Sequence, residues 1–587
     1  MNEAGLLSPR ALLTLVALLA IVWFGTLDHR RLINPDEGRY AEIPREMVAS
    51  GDWTTPRLND IKYFYKPPLQ YWATATAFAI FGEHHWTARL WPALTGFLGI
   101  LFAGYAAARL YALRAGVIAA AILASSVLWN AIGHANTLDM GLSFFLAAAV
   151  LALCLAERGD GAASRRWRDG AWALLALATL SKGLIGLVLP AATVLAYMVW
   201  QRDWGLLLRL RPLRGLLILL AITAPWFVAV SLANPEFPRY FFIREHFERF
   251  LTKAHGRYQP AWYFIPILLV GTLPWLGSLF QGLWVGRLAD GEHRFSANRM
   301  LLAWCAVVFV FFSASSSKLP SYILPIFPAV AILCAAWLAE REGCRRLAWE
   351  AVPAILAALA AGVLAYLAPR FANAEVGPEL YAAYQPWLYA AAACLLGGAL
   401  AAFVLGRRGR ALGFALSLAL GGHLFGQLFL LGHDEIGKVN SAHDAALAIR
   451  DRLPPGVPFF SAETYDQGLQ FYLKRTTTMV AYRDELSFGI AQEPHKFIAM
   501  TADFEERWRD LPVAWALMSP LTWSEMQKKG LPMKVEFRDS RRVIVSKSPP
   551  PSPSTVGGGD GCSAAPGAAS PISIGPGLGR PCAKATP

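Results

Sequence analysis

Charge is scarce in this chain: Asp, Glu, Lys and Arg make up 16% of its 587 residues, against 55% hydrophobic ones. Soluble globular proteins carry about 25% charged and about 45–50% apolar residues. The missing charge therefore excludes a purely water-soluble enzyme and requires much of the surface to face lipid. Cysteine is sparse too. The seven (Cys154, Cys305, Cys334, Cys344, Cys394, Cys562 and Cys582) stand singly. With no C-x-x-C and no His/Cys spacing to gather thiolates, a disulfide scaffold and a zinc finger are excluded. No small-x-small cleavage signal follows the first apolar run, Ala11 to about Leu27, so it reads as a retained helix. There is no internal repeat and no matched pair of broken helices of the transporter kind.

What the chain has in abundance is apolar runs near bilayer length. After the first, they lie at about 87–108, 115–131, 137–157, 171–181, 184–200, 215–233, 261–285, 300–317, 323–340, 349–369, 386–405 and 411–433, making about thirteen spans. The excess of 54 Lys+Arg over 41 Asp+Glu fits basic cytoplasmic loops and anionic lipid, with no nucleic acid implied. Arginines fix the sides, because Lys and Arg near helix ends stay cytoplasmic. Six basic turns carry Arg109/Arg114, Arg158/Arg165/Arg166/Arg168, Arg202/Arg209/Arg211/Arg214, Arg287/Arg294/Arg299, Arg341/Arg345/Arg346 and Arg407/Arg408/Arg410. All share one face if Leu69–Phe81 does not span but lies as an interfacial helix with the rest of residues 28–86.

The outer face then holds 28–86, 234–260, the turn Ser315–Ser321, 370–385 and everything after about residue 434. The expected fold is a polytopic α-helical membrane domain over 1–437 with outer-face amphipathic helices, then a small α/β domain over 438–547. Short strands are expected at Pro458–Ser461, Thr478–Tyr482, Phe497–Thr501, Val535–Phe537 and Arg542–Val545, with helices at Ser441–Arg452, Asp466–Leu473 and Phe504–Arg509. The Pro/Ser/Gly tail, 548–587, is too poor in large apolar residues to fold alone.

Chemistry should lie on the outer face. Asp36 and Glu37 follow the first span at the membrane boundary, where an ionised carboxylate is costly unless wet or paired. One reading is a helix cap with surface pairs among Glu37, Arg39, Glu42 and Arg45; the other is a catalytic acid pair. Asp139 opens a helix at the same face, where it either complements the macrodipole or is a second functional acid. Cations oppose the positive-inside tendency there: Lys66 before Pro67-Pro68, Lys182, Arg244, Arg249 and Lys253, and Lys318 before Pro320. They either snorkel to lipid headgroups or hold a lipid-borne phosphate by charge-assisted hydrogen bonds. His84-His85, His246 and His255 lack a matched carboxylate or Cys set and read as interface histidines.

Together, Pro35-Asp36-Glu37-Gly38-Arg39-Tyr40, Tyr65-Lys66-Pro67-Pro68-Leu69-Gln70-Tyr71-Trp72, Asp139, Ser181-Lys182-Gly183, Glu245-His246-x-x-Arg249-Phe250 and Lys318-Leu319-Pro320-Ser321-Tyr322 occur in this order. The set resembles the aminoarabinose transferases of lipid A, in the protein O-mannosyltransferase-like branch of the GT-C glycosyltransferases. The resemblance covers roughly residues 10–435 and the outer α/β domain. It implies a bacterial inner-membrane enzyme that takes a sugar, 4-amino-4-deoxy-L-arabinose in this branch, from undecaprenyl phosphate. The acceptor is a lipid A phosphate at the periplasmic face, a modification that weakens the binding of cationic peptides such as polymyxin.

The resemblance also implies roles. Asp36 becomes the principal catalytic acid, with Glu37 beside it and Asp139 as the second acid in the cavity. Lys66, Arg249 and Tyr322 handle the lipid phosphate, with Arg39, Lys182, His246 and Lys318 completing the substrate-binding set. No cofactor is expected: where the family pattern has possible metal ligands, this chain has Tyr65 and Arg244. Other acceptors for a polyprenyl-linked sugar, protein or envelope polymer, remain within the class. A polyprenyl-lipid transporter or a sensor acting through the outer domain would be a different class.

Overall fold

The computed structural model describes residues 7–248, 259–290 and 294–547. The tail expected to be disordered, and His255 in the outer loop, lie outside the described residues.

Every one of the thirteen apolar runs falls on helix. Among the described residues, eight helices are long and apolar enough to cross a membrane. Two further runs are bent pairs, Leu113–Ser125 with Val127–Gly133 at 65° and Ala261–Gly271 with Leu276–Val285 at 113°. Pro9–Gly25 and Ile185–Gln201 are apolar but only 17 residues long, and the run 171–181 is the second half of the helix Gly161–Lys182. Leu69–Phe81 is a separate 13-residue helix opened by Pro67-Pro68, too short to span.

Sidedness is visible in which loops touch. Arg158 pairs with Asp290, Arg209 with Glu157 and Asp203, and Arg294 with Asp203. The Tyr111 hydroxyl reaches Asn298, Arg114 pairs with Glu342, and the Gly343 amide donates to the Gly409 carbonyl at 2.8 Å. All six basic turns thus knit together at one end of the bundle. At the other end Asn234 donates to Thr55, Lys62 pairs with Glu236 at 2.7 Å, and Arg31 pairs with Asp434 at 2.9 Å. Arg541 of the outer domain reaches Glu375, so the segments expected outside do meet.

Small residues set the tightest crossings of the bundle. In the hairpin of Pro378–Arg407 and Ala411–Gly432, a Cβ on Gly421 would sit 2.8 Å from the Cys394 carbonyl oxygen and 2.9 Å from Gly398 Cα. Close backbone approach of this kind is how helices gain packing energy where lipid supplies no hydrophobic drive.

The outer domain is a six-stranded mixed sheet. Strands β1 (Arg57–Leu58) and β2 (Ile61–Lys62) form a small hairpin in the first loop. The sheet itself uses β3 (Phe459–Ala462), β4 (Thr478–Val480), β5 (Phe497–Ile498), β6 (Ala514–Met518), β7 (Lys534–Arg538) and β8 (Val543–Lys547), in the order β5-β4-β3-β6-β8-β7. Pairs β5/β4, β4/β3 and β3/β6 are parallel, each reached through a short helix, and β8 and β7 add antiparallel. The expected strands are present, but β6, buried along its whole length, was not expected. Its sequence Ala-Trp-Ala-Leu-Met lacks both alternation and β-branching, the two cues that separate a strand from a helix segment.

This domain sits on the helix Asp36–Ser50. Tyr40, Ile43 and Met47 share one apolar cluster with Tyr71 and Leu138 from the membrane side and Tyr465, Met479, Leu486 and Ile490 from the outer domain. Asn59 and Thr477 exchange hydrogen bonds at 2.7 and 2.8 Å across the same junction. The membrane part and the outer domain pack as one compact unit.

The hairpin makes a prediction. Gly421→Val forces backbone apart and should cost about 1–3 kcal/mol or more, read as a lower thermal midpoint of the detergent-purified protein. Gly397→Val, where an added Cβ meets nothing within 4 Å, should leave the midpoint in place.

Candidate active site

Asp36 and Glu37 are adjacent in sequence but turn opposite ways. Asp36 is the first residue of its helix, and its carboxylate is 44% exposed and paired with Arg39 Nη1 at 2.8 Å, one turn along. Glu37 points into the protein. Its two oxygens take Nε and Nη2 of Arg89 at 2.7 and 2.8 Å and the amides of Asn136 and Ile33 at 3.0 Å each. Burial alone would raise its pKa. The charge and hydrogen bonds of Arg89 outweigh that and hold the carboxyl down to about 2. Glu37 is therefore corrected from catalytic acid to structural anchor, since its lone pairs are taken by protein donors.

Asp139, first residue of the helix Asp139–Arg158, meets Lys182, last residue of the helix Gly161–Lys182. An acid at a helix N-terminus and a cation at a helix C-terminus each complement the local dipole. The second Asp139 oxygen accepts from Ser321 Oγ at 3.0 Å, and Lys182 Nζ lies 5.1 Å from the centre of the Tyr322 ring. Three widely separated segments thus meet at Asp139. Burial pushes the Tyr40 phenol pKa up, and the charges of Asp36 and of Asp139 both add to the rise. Both carboxylates therefore lie within electrostatic reach of one hydroxyl.

The outer domain closes on the same place. Glu485 pairs with Arg39 Nη2 at 2.5 Å and accepts from Gln467 at 2.7 Å and from the Tyr63 hydroxyl at 3.3 Å. Arg39 is thereby held between Asp36 and Glu485, with only 12% of its side chain exposed. Glu485 and Tyr63 were missed from sequence, and Tyr40 and Ser321 were given no role although both lie inside the motifs above. No motif surrounds Glu485, and tyrosines in an aromatic-rich membrane protein look like interface residues.

The remaining expected residues divide. Lys66 lies half-buried just before Pro67-Pro68. Lys318 is buried, and its ammonium donates to the backbone carbonyls of Gln259 at 2.9 Å and Ser315. It braces the turn before Tyr322, so its charge goes to peptide oxygens in the wall of the site. His246 lies in the π-wound helix Arg239–Glu248; its side chain, and Arg249 and Lys253 altogether, fall outside the described residues. Tyr65 and Arg244 both pack on Tyr240, at 5.7 Å ring-to-ring and guanidinium-to-ring. A guanidinium has no lone pair to offer a cation, so Arg244 does not fit the role of a metal ligand. Among the described residues no group of three His, Cys, Asp or Glu side chains is placed to hold a metal ion.

Residues 445–547 match the model of the aminoarabinose transferase C-terminal domain, and residues 65–228 that of dolichyl-phosphate-mannose-protein mannosyltransferase. An undecaprenyl phosphate-alpha-4-amino-4-deoxy-L-arabinose arabinosyl transferase of Pectobacterium carotovorum is 31% identical over 563 residues, 92% of this chain and 98% of the relative. The chain belongs to the aminoarabinose transferase family. A second transferase of the same description, from Edwardsiella ictaluri, is 37% identical over 338 residues, 56% of this chain and 60% of that one. The crystal structure of ArnT from Cupriavidus metallidurans bound to undecaprenyl phosphate superposes with a TM-score of 0.87 at 37% identity, covering 92% of this chain and 98% of that one. This member of the aminoarabinose transferases is a multi-pass membrane glycosyltransferase.

Two outcomes follow for variants. Glu37→Gln leaves Arg89 buried without its counter-charge and should cost about 3–5 kcal/mol, seen as a lower thermal midpoint, while Asp36→Asn leaves the midpoint unchanged. Lys182→Met removes the cation from Asp139 in a folded protein. It should lower the transfer rate about 10²-fold, the size of one lost preorganised charge contact.

Proposed function

We propose that this enzyme transfers 4-amino-4-deoxy-L-arabinose from undecaprenyl phosphate to a phosphate of lipid A at the periplasmic face of the bacterial inner membrane. The observation that carries the reading is the two acid–cation pairs among the outer-face segments, Asp36 with Arg39 and Asp139 with Lys182 beside Tyr322, in a chain of which 92% matches the undecaprenyl-phosphate-bound enzyme.

The chemistry suits these side chains. The bond from the sugar anomeric carbon to the donor phosphate oxygen breaks, and its electron pair leaves on undecaprenyl phosphate. A phosphate oxygen of the acceptor forms the new bond from the opposite side of the ring, inverting the centre. Charge builds on the leaving phosphate, and fixed cations stabilise it; Lys66 and Arg249 are the assigned pair, with Tyr322 against Lys182. An acceptor phosphate is already ionised, so a general base is not required. Asp36 and Asp139 then orient acceptor and donor and bind the sugar amine. No cofactor is assigned.

The test is mass spectrometry of lipid A from a transferase-deficient bacterium that expresses either this protein or its Asp36→Asn variant. A phosphate-linked increment matching aminoarabinose, present with the first and absent with the second, is the expected result. Unchanged lipid A at matched expression refutes the acceptor and directs attention to protein or envelope polymers.

A further inference from the structure

The helix that carries Asp36 starts without a cap of its own. The residue before it is Pro35, which makes no side-chain hydrogen bond to the first turn, and helix ends left in this way fray. Glu37 ties that turn to the membrane side through Arg89. The tie on the other side comes from the outer domain. Asn34, two residues before Asp36, donates its backbone amide to the Asn440 carbonyl at 3.0 Å and its side-chain Nδ2 to Asp466 Oδ1 at 2.5 Å.

Asp466 is itself held firmly. It is buried, its Oδ1 also accepts the amides of Gly468 and Leu469 at 3.0 and 3.1 Å, and its Oδ2 takes Nε of Arg542 at 2.5 Å. Arg542, buried just before β8, donates from Nη1 to Asp539 at 3.0 Å and to the Val439 carbonyl at 3.1 Å. A chain of contacts thus runs from the sheet of the outer domain to the residue before Pro35-Asp36. Buried charges joined in this way have little freedom, because moving one strands the other. The backbones meet as well. A Cβ on Gly38 would lie 2.6 Å from the Gly468 amide nitrogen, and a Cβ on Gly468 would lie 2.8 Å from Asn34 Oδ1.

We propose that Asn34 and Asp466 are positioning residues for Asp36. Their hydrogen bond fixes the start of the helix against the outer domain, and with it the place of the Asp36 carboxylate, while Glu37 and Arg89 fix the same turn from the membrane side. The proposal rests on the reading that Asp36 serves in the transfer reaction. Because the contact acts on an acid and not on the side chains assigned to the donor phosphate, it governs turnover and leaves donor binding in place.

The test compares two variants of the full-length purified enzyme. Asn34→Ala leaves Asp466 with Arg542 and the two amides, so no buried charge is stranded. Asn59→Gly is the control: it removes a different pair of buried hydrogen bonds across the same junction, to Thr477 at 2.7 and 2.8 Å, at a residue whose φ of 56° suits glycine. Asn34→Ala should lower kcat about 10- to 10²-fold, the upper end being the cost of misplacing a reacting group by about 1 Å, with the donor KM unchanged. Asn59→Gly should leave kcat in place even where it lowers the thermal midpoint. In hydrogen-exchange mass spectrometry, the amides of residues 36–40 should exchange faster in Asn34→Ala and at the wild-type rate in Asn59→Gly.

An unchanged kcat in Asn34→Ala overturns the positioning role. So do equal losses of kcat in both variants, which would assign the effect to general loosening of the junction, and a loss that lies wholly in the donor KM. Absence of transfer by the wild type would refute the proposed reaction instead, and the exchange comparison would still decide whether Asn34 and Asp466 hold the start of the helix.

Discussion

Arg89 reaches from the start of the helix His85–Leu110 to Glu37 and, with the rest of its guanidinium, collects the carbonyls of Leu27, Arg30 and Arg31 at 2.6 to 3.0 Å. The chain leaving the first helix would otherwise bury those carbonyls unpaired beside the bilayer, where each costs free energy comparable to a lost hydrogen bond. One arginine satisfies them and fixes the rotation of the helix Asp36–Ser50. With Glu37 turned inward, Asp36 is set outward toward Arg39 and Tyr40. The placement of the proposed reaction site is in this sense a consequence of a buried structural pair.

A second constraint is the seating of the outer domain. Its Glu485 reaches into the site to hold Arg39, and its Tyr465, Met479, Leu486 and Ile490 share a core with the helix that bears Asp36. The domain is therefore a wall of the site and not an appendage. Its sheet has its most buried strands, β3 and β6, at the centre, which gives the rigidity needed to keep Glu485 within hydrogen-bond distance.

Much of this was legible in the sequence, for identifiable reasons. Apolar runs report helices because lipid forbids unpaired backbone, and arginines report sidedness because they stay on one side. Both expectations agree with the six interlocked basic turns. Asp139 and Lys182 were found because charge at a membrane boundary is conspicuous. That they touch each other was not readable, since 43 residues and two helices separate them. Glu37 was misread because adjacent acids look alike in sequence, and only the rotation of about 100° per residue along a helix tells them apart. Strand β6 was missed because a fully buried strand loses the alternation that marks an exposed one. Glu485 carried no local signal at all; its partner is in the first loop.

The central claim, that the first loop and the outer domain form one site through Arg39, is tested most directly by a double-mutant cycle. kcat/KM is measured with purified enzyme for Arg39→Gln, Glu485→Gln and the pair. If Glu485 acts by holding Arg39, the double variant loses no more than the worse single one, because the same interaction is removed each time. Losses that multiply would mean that the two side chains act independently, and would contradict a shared site.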